Sequence, residues 1–315
     1  MGLNMGTNRY VRIKTIELPG NPLLKFDIGW VDDQSRAYYL ADRSNARVTV
    51  IDADRLEYSH GLAEGSFAGA AETGATSGPN GVAVLADRQE VWAGDGDSTL
   101  KVIEIGSRQL AATIATGGQK RVDELAYDPE NGVVLAANDQ EPVPFATITA
   151  VESREIVARV EFPRATNGLH QPVWDPSTRL FYVPVTEVDG NKATGEIAAV
   201  DASGRVVAEY PVSECQPAGL TTGPEGELCI ACSKAAIVAG FAPRSLIMDL
   251  KTGEVIARVD EVGGTDEVWY NPSLGHYYFA AAAMVGGPVL GVVDAKARRW
   301  IENIPTAPDA HSVAA

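Results

Sequence analysis

The stretch SGPNGVAVLADRQEVWAGDGDSTLKVIEIGSRQLAATIATGG, residues 77–118, decides the fold class. It contains four short runs rich in β-forming residues: GVAVLAD, EVWAGD, TLKVIEIGSRQ and AATIATGG. Turn-forming Gly and Asp residues lie between them. Short β-rich runs with turn signals between them are typical of consecutive antiparallel strands, so we predict a four-stranded sheet here.

The same pattern recurs along the chain. The openings of the units are FDIGWVDD, PNGVAVLA, VDELAYDP, LHQPVWDP, PAGLTTGP, TDEVWYNP and AHSVAA. The second residue of each opening is taken as an anchor, which gives the series Asp27, Asn80, Asp123, His170, Ala218, Asp266 and His311. The intervals are 53, 43, 47, 48, 48 and 45 residues, which is the range of a propeller blade. A sustained 3.6-residue apolar period is absent from the sequence, which disfavours α/β folds.

These observations predict an all-β, seven-bladed β-propeller of four-stranded antiparallel blades, formed as a single domain by residues 1–315. The blades are expected to start near residues 27, 80, 123, 170, 218, 266 and 311. The seventh unit has only its first strand, HSVAA, and YVRIKTIEL at residues 10–18 is a candidate outermost strand of that blade. We therefore expect the N- and C-terminal strands to close the last blade. That blade is either incomplete or continued by about 30 to 35 further residues of a longer protein.

The unit at residues 77–118 resembles the repeat of YncE-like, YVTN-type propellers, and the other units fit it more loosely from about residue 10 onward. The resemblance implies a seven-bladed propeller related to the seven-bladed lactonases. It implies the fold far more than an activity, because propellers serve many unrelated functions. Members of this family are often exported.

Charge and composition exclude several classes of function. The net charge is −16, from 42 acidic and 26 basic residues, which argues against binding to nucleic acid or anionic membranes. The apolar runs AAIVAGFA (235–242) and FAAAAMV (279–285) are far shorter than the roughly 20 residues that span a bilayer. Walker, dinucleotide and GxSxG motifs are absent from the sequence, so we expect a small-molecule partner and no nucleotide cofactor.

The cellular compartment is predicted from the N-terminus and the cysteines. MGLNMGTNRYVRIKTIELPG lacks the apolar segment of a secretory signal, so the chain as given is expected to be cytoplasmic, or exported if a leader was removed. Cys229 and Cys232 form a CxxC pattern inside a strand-like run, which favours buried structural cysteines over a redox or metal site. A bridge from Cys215 to Cys232 is conceivable and would imply an oxidising compartment.

The anchors indicate a metal site. First strands line the channel of a propeller, so the anchors should form a ring that includes two of the four histidines of the chain. Clustered carboxylates raise one another's pKa unless a cation or strong donors compensate them. Imidazole with carboxylates suits iron, manganese or zinc, whereas carboxylates with amides suit calcium. We favour iron, with zinc or calcium as alternatives, and the candidate ligands are Asp27, Asp123, His170, Asp266 and His311.

Other candidate residues lie beside the ring. Glu124 and Glu267 each follow an anchor and are candidate general bases. Residues further along the first strands or at the ends of second strands are candidate substrate contacts, and these are Trp30, Arg43, Trp174, Lys234 and Trp269.

Three functions fit this set. The first is an iron-dependent oxidoreductase, specifically an oxygenase, acting on an aromatic substrate. The second is a calcium- or zinc-dependent lactonase or related hydrolase, because PNGVAV with an acidic rim is similar to gluconolactonase-type propellers, although the histidines depart from that pattern. The third is a non-catalytic propeller that binds a partner, in which the polar ring only caps backbone groups and holds water.

Overall fold

The structure is a computed structural model that describes residues 10–315. Over that range the chain forms six sheets, each of four antiparallel strands joined in sequence order. The sheets are the blades of a β-propeller, so the predicted all-β class and the four-stranded blades are confirmed. The predicted seventh blade is wrong, because residues 10–315 form six blades.

Blades 1 to 3 contain strands β1–β12, which are Gly29–Asp32, Ala37–Asp42, Arg47–Asp52, Glu57–Leu62, Val82–Leu85, Glu90–Gly94, Thr99–Glu104, Leu110–Ala115, Leu125–Asp128, Val133–Asn138, Phe145–Ala150 and Ile156–Glu161. Blades 4 to 6 contain β13–β24, which are Val173–Asp175, Leu180–Val185, Thr194–Val200, Val206–Ser213, Pro217–Thr222, Glu227–Cys232, Ser245–Asp249, Val255–Val259, Val268–Asn271, His276–Ala281, Val289–Asp294 and Arg299–Pro305.

The remaining elements are short. The α-helix α1, Lys234–Val238, follows β18, and Ser233 caps its first turn. Four 3-10 turns cover Arg43–Asn45, Gly74–Thr76, Ala86–Arg88 and Pro224–Gly226. Within residues 10–315 no helix is both long and apolar enough to cross a bilayer.

Each of the six blades begins close to one of the first six anchors. Five blades begin two or three residues after their anchors, and blade 5 begins at Pro217, beside Ala218. The first strands carry a local signature in the sequence. All four residues of β5, for example, are buried, as expected for a β-branched and apolar run with blades on both sides. In every blade the pairing of the third strand with the fourth contains a register shift, as expected for a strongly twisted sheet.

The hydrophobic core lies between the blades. Five clusters of buried side chains fill the contacts from blade 1 to blade 2 and onward to blade 6. Trp92 and Tyr182 are among the largest fully buried side chains in them. Among the described residues no such cluster lies between blade 6 and blade 1. The ring of blades is therefore closed between blade 6 and blade 1 by a different set of contacts.

The C-terminal segment, residues 310–315, closes the ring. The Ser312 hydroxyl donates to Glu267 Oε2 (2.7 Å), just before β21, and accepts from the backbone N–H of Gly29 (3.0 Å) at the start of β1. The Val313 N–H also donates to Glu267 Oε2 (2.6 Å). The segment thus bridges blade 6 and blade 1 by hydrogen bonds to the buried Glu267 carboxyl group and from the Gly29 N–H.

Neither terminal segment forms the predicted strand. Residues 10–18 and 310–315 have no strand pairing, so His311 does not open a seventh blade and residues 10–18 are not its outer strand. A strand needs a neighbour for its backbone groups, and the described chain supplies none at either place. Tyr10 nevertheless contacts the last blade, because its hydroxyl lies 2.5 Å from His276 Nδ1 and 2.8 Å from the Tyr278 hydroxyl.

Candidate functional site

A cavity of about 470 Å³ occupies the central channel. It is lined by the first strands of the six blades and the residues that flank them. Its walls are mainly apolar and aromatic, and the aromatic residues are Trp30, Tyr127, Trp174, Trp269 and Tyr270. Trp30 and Trp269 meet edge to face across the junction of blades 1 and 6, with ring centroids 5.4 Å apart. The structure thus brings together the three tryptophans predicted to contact substrate.

Glycines let neighbouring first strands approach one another closely. A Cβ on Gly81 would lie 2.5 Å from the Cα of Glu124, and one on Gly219 would lie 2.4 Å from the carbonyl oxygen of Asp266. The Gly81 N–H donates to the Asp123 carbonyl across this contact (2.6 Å). A side chain at either position would therefore push neighbouring first strands apart beside the ring of anchors.

Two polar side chains at one end of the cavity lack internal partners. Glu124 is 4% exposed and its Oε2 has no hydrogen-bond partner among residues 10–315. Burial raises the pKa of Glu124 well above its usual range, and the charges of Asp123 and Asp266 raise it further. Gln171 lines the same end, and its buried Oε1 also lacks a partner in the described chain. A cation or a hydrogen-bonding ligand would satisfy these groups.

Glu124 also belongs to a cluster suited to a metal ion. Three residues each place one potential ligand atom within 4.8 Å of the other two, and they are Asp123, Glu124 and His170. His170 Nδ1 lies 4.0 Å from Asp266 Oδ1, which is close enough for an ion pair but too long for a hydrogen bond. Burial and the charge of Asp139 raise the pKa of Asp123 although Arg121 opposes them. A divalent cation would offset this excess of buried negative charge.

Arginines already compensate other carboxylates of the ring. Arg43, which is largely buried, forms an ion pair with Asp27 and donates to Asn80 Oδ1. Arg121 bonds Asp123 Oδ2 and Asp139 Oδ2, both at 2.9 Å. Arg43, with Arg121 at 3.8 Å, therefore compensates Asp27. Among the described residues no arginine is hydrogen-bonded to the second oxygen of Asp123 or to either oxygen of Glu124.

His311 lies apart from the His170 cluster. Its Nε2 is 3.7 Å from Asp27 Oδ1, its ring stacks on Phe26 with centroids 4.4 Å apart, and its Nδ1 is 2.7 Å from the Asp309 carbonyl. Burial lowers the pKa of His311, but contact with Asp27 and the charge of Asp266 outweigh it and raise the pKa to about 9. His311 is thus placed as a charged partner of Asp27. Among residues 10–315 no three-residue metal cluster contains it.

The other candidate residues have distinct positions. Glu267 is fully buried and anchors Ser312 and Val313, and burial raises its pKa well above the usual range. Lys234 is exposed at the start of α1, and neither it nor Arg43 lines the cavity.

Sequence reasoning missed Arg121, which pairs with three carboxylates, those of Asp27, Asp123 and Asp139. Its position two residues before the anchor Asp123 was the available signal. Reading the residues before each anchor as well as those after it would have found this arginine.

The fold class that these observations define is a β-propeller, and solved structures agree. A chain of Kuenenia stuttgartiensis hydrazine synthase is similar with a TM-score of 0.74 and 16% identity over 98% of this chain and 93% of that chain. A chain of a mitotic checkpoint complex has a TM-score of 0.68 and 13% identity, with the same coverage of 98% and 93%. At such identities the likeness concerns the fold alone. No protein-family model matches the sequence, and no curated protein matches it.

Proposed function

We propose that this protein is a small-molecule enzyme with a divalent metal held by Asp123, Glu124 and His170 at the polar end of the channel cavity. One observation carries the proposal. Glu124 belongs both to the three-residue cluster and to the cavity wall, and it is buried with one oxygen that has no hydrogen-bond partner within residues 10–315. A metal on Glu124 would therefore face a substrate in the cavity.

The donor set favours a transition metal. An imidazole with two carboxylates suits iron, manganese or zinc better than calcium, which prefers six to eight oxygen ligands. Asp123 would use the oxygen that Arg121 does not bond, and the negative charge of Asp266, 4.0 Å from His170 Nδ1, would further favour a cation. Of the five candidate ligands named from the sequence, this set keeps Asp123 and His170 and adds Glu124, whereas His311 pairs with Asp27.

The cavity favours oxidation of an aromatic substrate. Trp30, Trp174 and Trp269 offer flat apolar surfaces for a ring. Iron at this position would supply the activation of O₂, and incorporation of both oxygen atoms into the substrate balances without another reductant. The protein's own contribution would be to bind the ring, to orient it toward Glu124 and to exclude water.

A hydrolase of the lactonase type is the second candidate. Two of the three donors are carboxylates, which also suit zinc and, less well, calcium. In that reaction the metal would polarise a carbonyl group. Two features count against the gluconolactonase pattern. Asn80 is occupied by Arg43 and by the Val122 carbonyl, and the apolar walls offer few partners to a polyhydroxylated sugar.

Metal titration tests the proposal. Chelator-treated protein is titrated with Mn²⁺, Zn²⁺, Ca²⁺ and, without oxygen, Fe²⁺ by isothermal calorimetry. We expect one tight transition-metal site, weakened at least about tenfold by His170→Ala. His60→Ala, on β4, is the matched control and should bind normally. Absence of binding, or equal binding by the His170 variant, would favour the non-catalytic propeller. With Fe²⁺ bound, oxygen uptake in the presence of aromatic compounds separates oxygenase from hydrolase.

The family and compartment are also proposals. We propose that the repeat places the chain among YncE-like propellers, as the unit at residues 77–118 suggests. Cys215 and Cys232 form a disulfide, and such bonds persist in oxidising compartments, which supports an exported protein over a cytoplasmic one. Alkylation and mass spectrometry of the unreduced, denatured protein should label Cys229 alone. Labelling of all three cysteines would support the cytoplasm.

A further inference from the structure

We infer that the cavity binds a neutral two-ring aromatic compound with a single hydroxyl group, held between the tryptophans with the hydroxyl at Gln171 and Glu124. The inference names a substrate class for the proposed enzyme and so rests on that proposal. It is carried by the shape, the charge and the unpartnered polar groups of the cavity, each of which excludes other ligands.

The walls select a flat apolar body. A volume of about 470 Å³ lies in the range of small-molecule pockets, roughly 300–1,000 Å³, and admits two fused rings. Trp30 and Trp269 present an edge-to-face pair, and Trp174 lies on the wall formed by blade 4. Aromatic rings gain from the burial of their area and, in addition, from each well-oriented contact with another aromatic ring. An aliphatic or sugar ligand would gain less from these surfaces.

The charges select against an anion. The part of the cavity wall that the structure describes contains neither Lys nor Arg. Its one carboxyl group, that of Glu124, is neutral or negatively charged, so it does not attract an anion. Arg43 and Arg121 are near the ring but are already bonded to Asp27, Asp123 and Asp139. A carboxylate or phosphate ligand would therefore be buried without a cationic side chain, which is costly. A neutral ligand avoids this cost whether or not a metal is bound.

The end of the cavity formed by Gln171 and Glu124 favours a ligand with a hydroxyl group. No hydrogen bond of the Gln171 amide is present among the described residues, and one of its two polar atoms is sealed against Gly219. A hydroxyl group both donates and accepts, so it can pair with whichever end of the amide faces the cavity. It can also donate to the Glu124 carboxylate or bind a metal there through its oxygen. A ring without a polar substituent leaves all these groups unsatisfied.

Three probes test the inference: 2-naphthol, naphthalene and 2-naphthoate, each titrated calorimetrically into chelator-treated and Zn²⁺-loaded protein. We expect 2-naphthol to bind at least about tenfold more tightly than 2-naphthoate in the chelator-treated protein, because the anion is buried without a partner. Naphthalene should bind about fivefold more weakly than 2-naphthol, which is the effect of one hydrogen bond. Equal or tighter binding of 2-naphthoate, or no binding of 2-naphthol, overturns the inference.

Variants locate the binding site. Gln171→Leu should weaken 2-naphthol about fivefold and leave naphthalene unchanged, which a merely structural effect would not do. Trp174→Ala should weaken both about tenfold, whereas Trp300→Ala, an exposed tryptophan on β24, should weaken neither. If Gln171→Leu and the wild type bind 2-naphthol equally, the inference is overturned.

The two proposals can fail separately. Binding of 2-naphthol without any metal site would leave the ligand class standing and remove the metal-dependent enzyme. A metal site at His170 without 2-naphthol binding would leave the metal-dependent enzyme standing and remove the ligand class.

Discussion

The contact between His311 and Asp27 should make the stability of the protein depend on pH. The imidazole is largely buried, with 22% of its side chain exposed, and its Nε2 is 3.7 Å from Asp27 Oδ1. Contact with Asp27 raises the pKa of His311 from 6.5 to about 9, against the opposing effect of burial. Folding therefore favours the protonated imidazole. The perturbation that tests this is His311→Gln, which keeps a polar side chain and removes the titrating group.

The magnitude follows from the pKa shift. One pKa unit corresponds to about 1.4 kcal/mol, so the shift corresponds to at most about 3 kcal/mol of stability. The same contact helps to lower the pKa of Asp27 to about 2, but Arg43 shares in that effect, so we treat 3 kcal/mol as an upper bound. Because the folded pKa lies above the unfolded value, this stability is fully present below about pH 6.5 and is lost as the pH rises through about 9.

Urea unfolding of both proteins at several pH values is the assay. His311→Gln should be destabilised by about 2–3 kcal/mol at pH 6, and the difference from wild type should shrink by most of that amount near pH 10. His60→Gln is the control, because burial lowers the pKa of His60 and the control should gain no such dependence. A difference between His311→Gln and wild type that is the same at both pH values, or below about 0.5 kcal/mol at pH 6, would refute the reasoning.

Three further predictions concern stability in urea. Replacing Cys215 and Cys232 together by Ser should cost about 3 kcal/mol, from the loop entropy of a 17-residue separation, and no loss would mean that the bond does not form in solution. Ser312→Ala should cost about 1–3 kcal/mol, because it leaves the buried Glu267 carboxyl with fewer partners, and a neutral effect would count against ring closure by this segment. Metal-free wild type should lose stability as the pH rises above about 4.5, because the folded pKa of Glu124 is raised, and Glu124→Gln should lose less. Identical pH profiles would contradict a buried titrating carboxyl.

The blades were predictable from sequence and the closure of the ring was not. Residues 77–118 and the other openings carry local signals of strands and turns, so six blade positions follow from pattern alone. AHSVAA matches the same pattern, yet it forms no strand because residues 10–315 supply no neighbour to pair with it. Residues 10–18 alternate as a strand does and remain unpaired for the same reason. Pairing is a property of distant segments, which a local pattern does not contain.

The candidate site was predictable as a set of residues but not as a geometry. The anchors Asp123 and His170 and the neighbouring Glu124 all came from the repeat. Which of them converge depends on distances between blades, and these placed His311 beside Asp27 rather than beside His170. Arg121 could be found from its position two residues before an anchor, but its pairing with Asp27, Asp123 and Asp139 depends on contacts between blades that the sequence does not contain.

Anomalous diffraction from crystals of metal-loaded protein tests the central claim most directly. Data collected on both sides of the iron, manganese or zinc absorption edge give the position and identity of the ion. We expect one anomalous peak at about 2.0–2.3 Å from a ligand atom of each of Asp123, Glu124 and His170. A peak between Asp27 and His311, or none at saturating metal, would contradict it.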